Sequence, residues 1–228
     1  MDASQIAYVA SVWVLPVLFA ITFHEAAHGW VAWKLGDDTA KRLGRVTFNP
    51  LRHVDAFGTV MLPALLLLMR APFLFGWAKP VPVRFERLRQ PKRDMVWVAA
   101  AGPAVNLALA TGSAGALWVV PLLPDIVDEW VARNLANSLQ INVILAVFNM
   151  LPLPPLDGGR VAVGLLPLPL ARRLARLERA GLSILLSLIF ILPMLGRQVG
   201  LDLNVFAVLV GAPAQFLIDA ILAGVGIR

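Results

Sequence analysis

No cysteine occurs in these 228 residues, so disulfides and thiolate metal sites are both ruled out. Charge is scarce too: 15% of residues are Asp, Glu, Lys or Arg, where a soluble domain carries about 25%. With 59% apolar residues and a mean hydropathy of +0.76, the composition is that of a polytopic membrane protein. The length leaves room for about six spanning or partly spanning segments of ~20 residues, with short loops and no sizeable soluble domain. One membrane-embedded domain over 1–228 is expected, with its core at 4–160 and additional helices at 180–227.

Acidic residues are in the minority, 14 against 20 basic ones, for a net charge of +6. The basic residues cluster just outside apolar runs, where they act as topology signals beside anionic lipid. The expected partner is therefore the lipid bilayer and not nucleic acid.

The first apolar run, Ser4 to Leu35, is too long for a cleaved signal and lacks a basic stretch before it. It predicts a spanning helix. A polar stretch follows, in which Arg45-Val46-Thr47-Phe48 alternates like a short strand. Phe57 to Ala78 is apolar but interrupted by Pro63, Arg70, Pro72 and Gly76, and Pro80 and Pro82 then force Lys79 to Val83 to be extended. If this segment enters the membrane as a helix and returns as extended chain, the basic loops on both sides of it stay cytosolic. Irregular backbone at membrane depth is tolerated only beside protein or a wet cavity, which places the segment along a site. Further helices are predicted at Met95–Leu122, Leu135–Leu151, Ala180–Leu195 and Leu203–Ile227, with an acidic loop at Pro124–Asn134. Arg172, Arg173, Arg176 and Arg179 make a second cytosolic basic patch. The expected fold is an all-α polytopic bundle of about five full spans plus a re-entrant helix/extended segment. Its N-terminus is external and its C-terminus cytosolic, in a prokaryotic cell membrane.

Two of the three histidines lie inside the first predicted helix, as His24-Glu25-Ala26-Ala27-His28. Residues i and i+4 share a helix face, so both imidazoles can reach one metal ion, with Glu25 beside them. An isolated charge at membrane depth costs about 2.5–3.5 kcal/mol, so such a cluster calls for a partner, and zinc is one. A catalytic zinc site commonly has three protein ligands. Asp157 is the better third candidate, an acid at a proline-broken helix end near the cytosolic face; the remaining histidine, His53, lies in a polar loop. Gly158 and Gly159 let the chain turn there and let another backbone approach.

The helix bearing His24 to His28, together with Asn149-Met150-Leu151-Pro152-Leu153-Pro154-Pro155-Leu156-Asp157-Gly158, resembles the site-2 protease family of intramembrane zinc metalloproteases. Gly102 to Asn106 matches that family's intervening Gly-x-x-x-Asn element. The resemblance implies one zinc ion per chain bound by His24, His28 and Asp157, with Glu25 as general base. It also implies a membrane-protein substrate cut in or near a transmembrane segment, close to the cytosolic face. It gives Asn149 the task of holding substrate backbone or the developing oxyanion, although an amide bridging two helices explains that residue as well. For Asn106, helix packing and site support are both open. His53 is either a loop histidine with a backbone partner or a group that stabilises the intermediate or approaches the metal. Gly76, Trp77, Ala78 and Lys79 can offer an edge strand to an extended substrate, or serve as a rigid connector. The rival class is a metal transporter or a zinc-binding membrane protein without hydrolytic activity.

Overall fold

The computed structural model describes residues 2–62, 65, 66, 69 and 79–227. Among these, five helical segments are long and apolar enough to cross a membrane: Ala7–Lys34, Pro91–Leu122, Asp128–Asn149, Glu178–Gln198 and Ala207–Gly224. No strand occurs among the described residues. The protein is an all-α membrane protein. Most of the segment expected to re-enter the membrane lies outside the described residues.

Helix α1 spans Ala3–Lys34. It begins with a reciprocal cap, in which the Asp2 carboxylate accepts from the Gln5 amide at 2.8 Å and the Gln5 side chain accepts from the Asp2 amide at 3.3 Å. At 1.5 Å per residue it is about 48 Å long, more than the ~30 Å hydrocarbon layer requires. Pro16 has no N–H, which leaves the Val12 carbonyl without its helical donor. Asn137, from another helix, fills that position with its side-chain amide at 2.8 Å.

Helix α2 spans Pro91–Ala116 and continues as tighter turns over Leu117–Leu122. It starts four residues before the expected Met95, because proline suits a first helical turn and Asp94 reaches back to the Gln90 amide at 2.8 Å. Helix α3 spans Asp128–Asn149, seven residues longer at its start than expected. Of the expected loop Pro124–Asn134, residues 124–127 precede the helix as a turn, while 128–134 are helical, with Asp128 and Glu129 in the first turn at the positive end of the dipole. Trp130 ties this end to α1 by donating to the Ser11 hydroxyl at 2.9 Å. Beyond α3 come α4 (Asp157–Leu165), α5 (Leu168–Arg176), α6 (Glu178–Leu186, carried on to Gln198) and α7 (Ala212–Gly224).

Helices α1, α2 and α3 form the centre. The residues buried there are mostly small: Ala20, Ala99, Ala110, Ala114 and Ala146, each 2% exposed or less. Small side chains let helix backbones approach where lipid offers no hydrophobic drive for association. Helix α7 packs Ala214, Leu217 and Ile218 against Ala110, Ala114, Leu139 and Val143.

Arg45–Phe48 is not a strand. Its side chains dock singly on α1: Val46 sits against Gly29, and Phe48 stacks on Phe23 with ring centroids 4.5 Å apart. From Lys79 to Arg84 the chain is neither helix nor strand and is pinned at three points. The His53 carbonyl accepts from the Lys79 amide at 2.9 Å, the Glu25 carboxylate from the Val81 amide at 2.6 Å, and the Asp37 carboxylate from the Arg84 amide at 2.6 Å. Burial pushes the Asp37 carboxyl up, but hydrogen bonds from the Thr39 hydroxyl, the Arg84 amide and the Thr39 amide, with the Arg87 charge, hold it below its ordinary value.

Candidate metal centre

One turn of α1 places the His24 and His28 rings on the face toward α2, and the N-terminus of α4 brings Asp157 to them. The two histidines are four residues apart in sequence, and Asp157 comes from more than 120 residues further along. His24 Nε2 and His28 Nε2 are 3.0 Å apart, and Asp157 Oδ2 lies 3.2 Å from the first and 3.3 Å from the second. Ligand atoms set ~2.0–2.1 Å from a tetrahedral zinc are themselves about 3.3 Å apart, so this triangle has the right edge. Asp157 Oδ2 is buried and has no hydrogen-bond partner among the described residues, an arrangement that a cation resolves. All three residues are at most 9% exposed. The donor set is neutral imidazole and carboxylate, which suits zinc.

Both rings are held from behind. His28 Nδ1 is 2.7 Å from the Val98 carbonyl, which can only accept, so Nδ1 carries the proton and Nε2 presents its lone pair. His24 Nδ1 lies 2.6 Å from Asn106 Oδ1. The Asn106 amide faces the Ala20 carbonyl at 3.2 Å, so its oxygen is the atom turned to His24. His24 has the same tautomer. Such outer partners orient a ligand ring and raise its basicity.

Gly102 on α2 faces both rings without a side chain. A Cβ there would stand 2.5 Å from both His24 Cε1 and His28 Nε2. Gly102→Ala is therefore expected to weaken zinc binding by about 10–100-fold, with overpacking of ~1–3 kcal/mol falling on the ligand rings. Chelator competition measures this. Gly112→Ala, where a Cβ meets nothing within 4 Å, is the control and should leave zinc affinity unchanged.

The triangle of His24, His28 and Asp157 opens into a cavity of about 310 Å³, lined among others by Glu25, Val81, Phe85, Asn149, Asp157 and Arg160. Glu25 is half-buried, one residue from His24, and its Oε2 accepts from the Val81 amide. Asn149 is also in the lining and spends one amide hydrogen on the Leu145 carbonyl at 3.0 Å, which leaves it a second. Asn106 is fully buried and outside the lining, beneath His24. His53 is outside the lining as well, with Nε2 3.0 Å from the Thr47 carbonyl. Lys79 has its amide committed to His53, while Gly76, Trp77 and Ala78 lie outside the described residues. Gly158 and Gly159 carry the tight return of the chain after α3: a Cβ on either would collide with backbone of Met150 or of Leu153 and Pro154.

Some of the lining is not foreseen from sequence. Arg160 stacks over the Phe85 ring at 5.2 Å and approaches Glu178 at 3.6 Å. Its spacing of three from Asp157 puts the two on one helix face, which is a usable signal. The Val81 amide that meets Glu25 leaves none.

Over 188 residues the chain is 37% identical to "Putative zinc metalloprotease YwhC" of Bacillus subtilis, a match covering 79% of this chain and 80% of that protein. The chain belongs to the site-2 protease family. Two further family members are similar, each named "Putative zinc metalloprotease Rip2". The protein from Mycolicibacterium smegmatis is 31% identical over 144 residues and that from Mycobacterium tuberculosis 31% over 141. Those matches cover 62% of this chain and 52% of each relative, so they span about half the length of the Rip2 proteins. No protein-family model matches the chain, and no solved structure does.

Proposed function

We propose that this protein is a zinc-dependent intramembrane endopeptidase that hydrolyses a peptide bond in or near a transmembrane segment of another membrane protein, close to the cytosolic face. The observation that carries this reading is the 3.0–3.3 Å triangle of His24, His28 and Asp157 beside Glu25 in one cavity. In this reading those three residues hold one zinc ion per chain. Zinc bound there supplies an acidified water near neutral pH and polarises the scissile carbonyl.

The chain's own groups do the rest. The Val81 amide holds Glu25 Oε2, which fixes the carboxylate beside the ligands. Glu25 takes the proton of the attacking water and passes it to the leaving amine. The free amide hydrogen of Asn149 meets substrate backbone or the developing oxyanion. Asn106 acts through His24. His53 anchors the loop by its contacts with Thr47 and Lys79. Substrate must bind as extended chain, because a helical peptide's carbonyls are already hydrogen-bonded. We place the whole chain in one membrane-embedded domain, N-terminus external and C-terminus cytosolic, in a prokaryotic cell membrane.

The direct test is the purified protein in lipid vesicles with a panel of single-span peptides. Cleavage within the spanning segment toward the cytosolic end is expected, abolished by a zinc chelator and restored by stoichiometric zinc. Zinc movement across the bilayer with every peptide left intact overturns the protease reading in favour of a transporter.

A further inference from the structure

We propose that Asn142 is a positioning residue for the metal centre: through Asn106 it sets the ring of His24 so that Nε2 faces the metal. Asn142 lies on α3, two helical turns before Asn149, and is 1% exposed. It does not line the site cavity, and it belongs to none of the sequence elements that carry the family resemblance. A buried amide inside a spanning helix is costly unless its polar atoms are paired. Here each atom has a partner, and the pairing runs in one direction.

That direction is set at two points, by the Ala20 carbonyl beside Asn106 and by the Ser138 carbonyl at the far end. The Ser138 carbonyl can only accept, and Asn142 Nδ2 donates to it at 2.9 Å. Asn142 Oδ1 must then face α2, where it accepts from Asn106 Nδ2 at 2.7 Å. This is the shorter of the two bonds made by that amide, the other running to the Ala20 carbonyl at 3.2 Å. Asn106 Oδ1 is left to accept from His24 Nδ1 at 2.6 Å. A proton on Nδ1 leaves the Nε2 lone pair for the metal. The Ser138 hydroxyl, held at 2.8 Å by Ser113, lies 3.3 Å from Asn142 Nδ2 and steadies the same end. Helices α1, α2 and α3 thus share one oriented line of hydrogen bonds ending on a ligand ring. The competing explanation is that Asn142 only fastens α2 to α3, in which case its loss weakens the fold and not metal binding.

The proposal rests on the reading that His24 is a zinc ligand, and the experiment separates the two. Zinc affinity is measured by chelator competition on the intact protein in detergent, alongside the thermal midpoint of the metal-free form. Asn142→Leu removes the acceptor. Asn142→Ser, whose hydroxyl is too short to reach Asn106, removes it with less disturbance of packing and serves if the leucine variant does not fold. Either substitution is expected to weaken zinc binding about 10-fold, at the low end of the range for outer partners of a ligand. Asn142→Asp, held neutral by burial at membrane depth, keeps both ends of the line, with its hydroxyl donating to the Ser138 carbonyl and its carbonyl oxygen accepting from Asn106, and should return affinity to within about 3-fold of wild type. Lowered thermal midpoints with wild-type zinc affinity overturn the proposal, as does a failure of Asn142→Asp to recover affinity. If the unsubstituted protein binds no zinc, the metal-centre reading falls first, and this proposal with it.

Discussion

Glu25→Gln is expected to lower peptide cleavage by about 10²–10⁴-fold while leaving one zinc ion per chain, because that is the usual contribution of a positioned general base. Glutamine is nearly isosteric, and its side-chain oxygen can still accept from the Val81 amide, so the chain around Val81 in the cavity wall stays in place. What the variant cannot do is take and release a proton. Each tenfold loss corresponds to ~1.4 kcal/mol of barrier, so the expected deficit is roughly 3–5 kcal/mol in the transition state alone. The measurement pairs turnover of a single-span peptide in vesicles with metal content of the same preparation. Wild-type turnover in a zinc-loaded Glu25→Gln preparation rejects Glu25 as the base. Loss of zinc together with activity would show that the carboxylate works mainly by holding the centre together.

Asp157→Ala should remove the metal. Losing an outer partner of a ligand costs about 10–100-fold in metal affinity, and losing one of three ligands costs more, so a fall of at least ~10³-fold is expected. The apo fold has little reason to suffer. Asp157 stands at the first turn of α4, and its buried Oδ2 has no hydrogen-bond partner among the described residues. Removing an unsatisfied buried oxygen relieves a cost in the metal-free protein even as it destroys the site. The expected signature is thus zinc content near zero with a thermal midpoint of the metal-free form equal to or above that of wild type. Full retention of tightly bound zinc by Asp157→Ala overturns the assignment of the third ligand.

Local patterning made much of the protein legible. The apolar runs marked the five spanning helices, and α1 came within one residue of its expected ends. Helix starts were less visible. Both α2 and α3 begin earlier than hydrophobicity indicates, because Pro91, Asp94, Asp128 and Glu129 are polar or helix-averse inside a helix yet well suited to a first turn. Alternation at Arg45–Phe48 misled for a different reason: period-two patterning describes a strand only where another strand lies alongside, and here α1 is the neighbour.

By itself, the order of residues determined that His24 and His28 share one face of a membrane helix, that Glu25 stands beside them, and that a proline-broken turn delivers Asp157 near the same depth. These follow from helix pitch and backbone stereochemistry, which act over a few residues. Only the tertiary structure decided that Gly102 leaves space for two imidazoles, that the Val81 amide grips Glu25, and that Asn106 meets His24 on one helix and Asn142 on another. Those are contacts of three to four ångströms or less between segments tens of residues apart. Their existence depends on how helix surfaces interlock, which no local periodicity encodes.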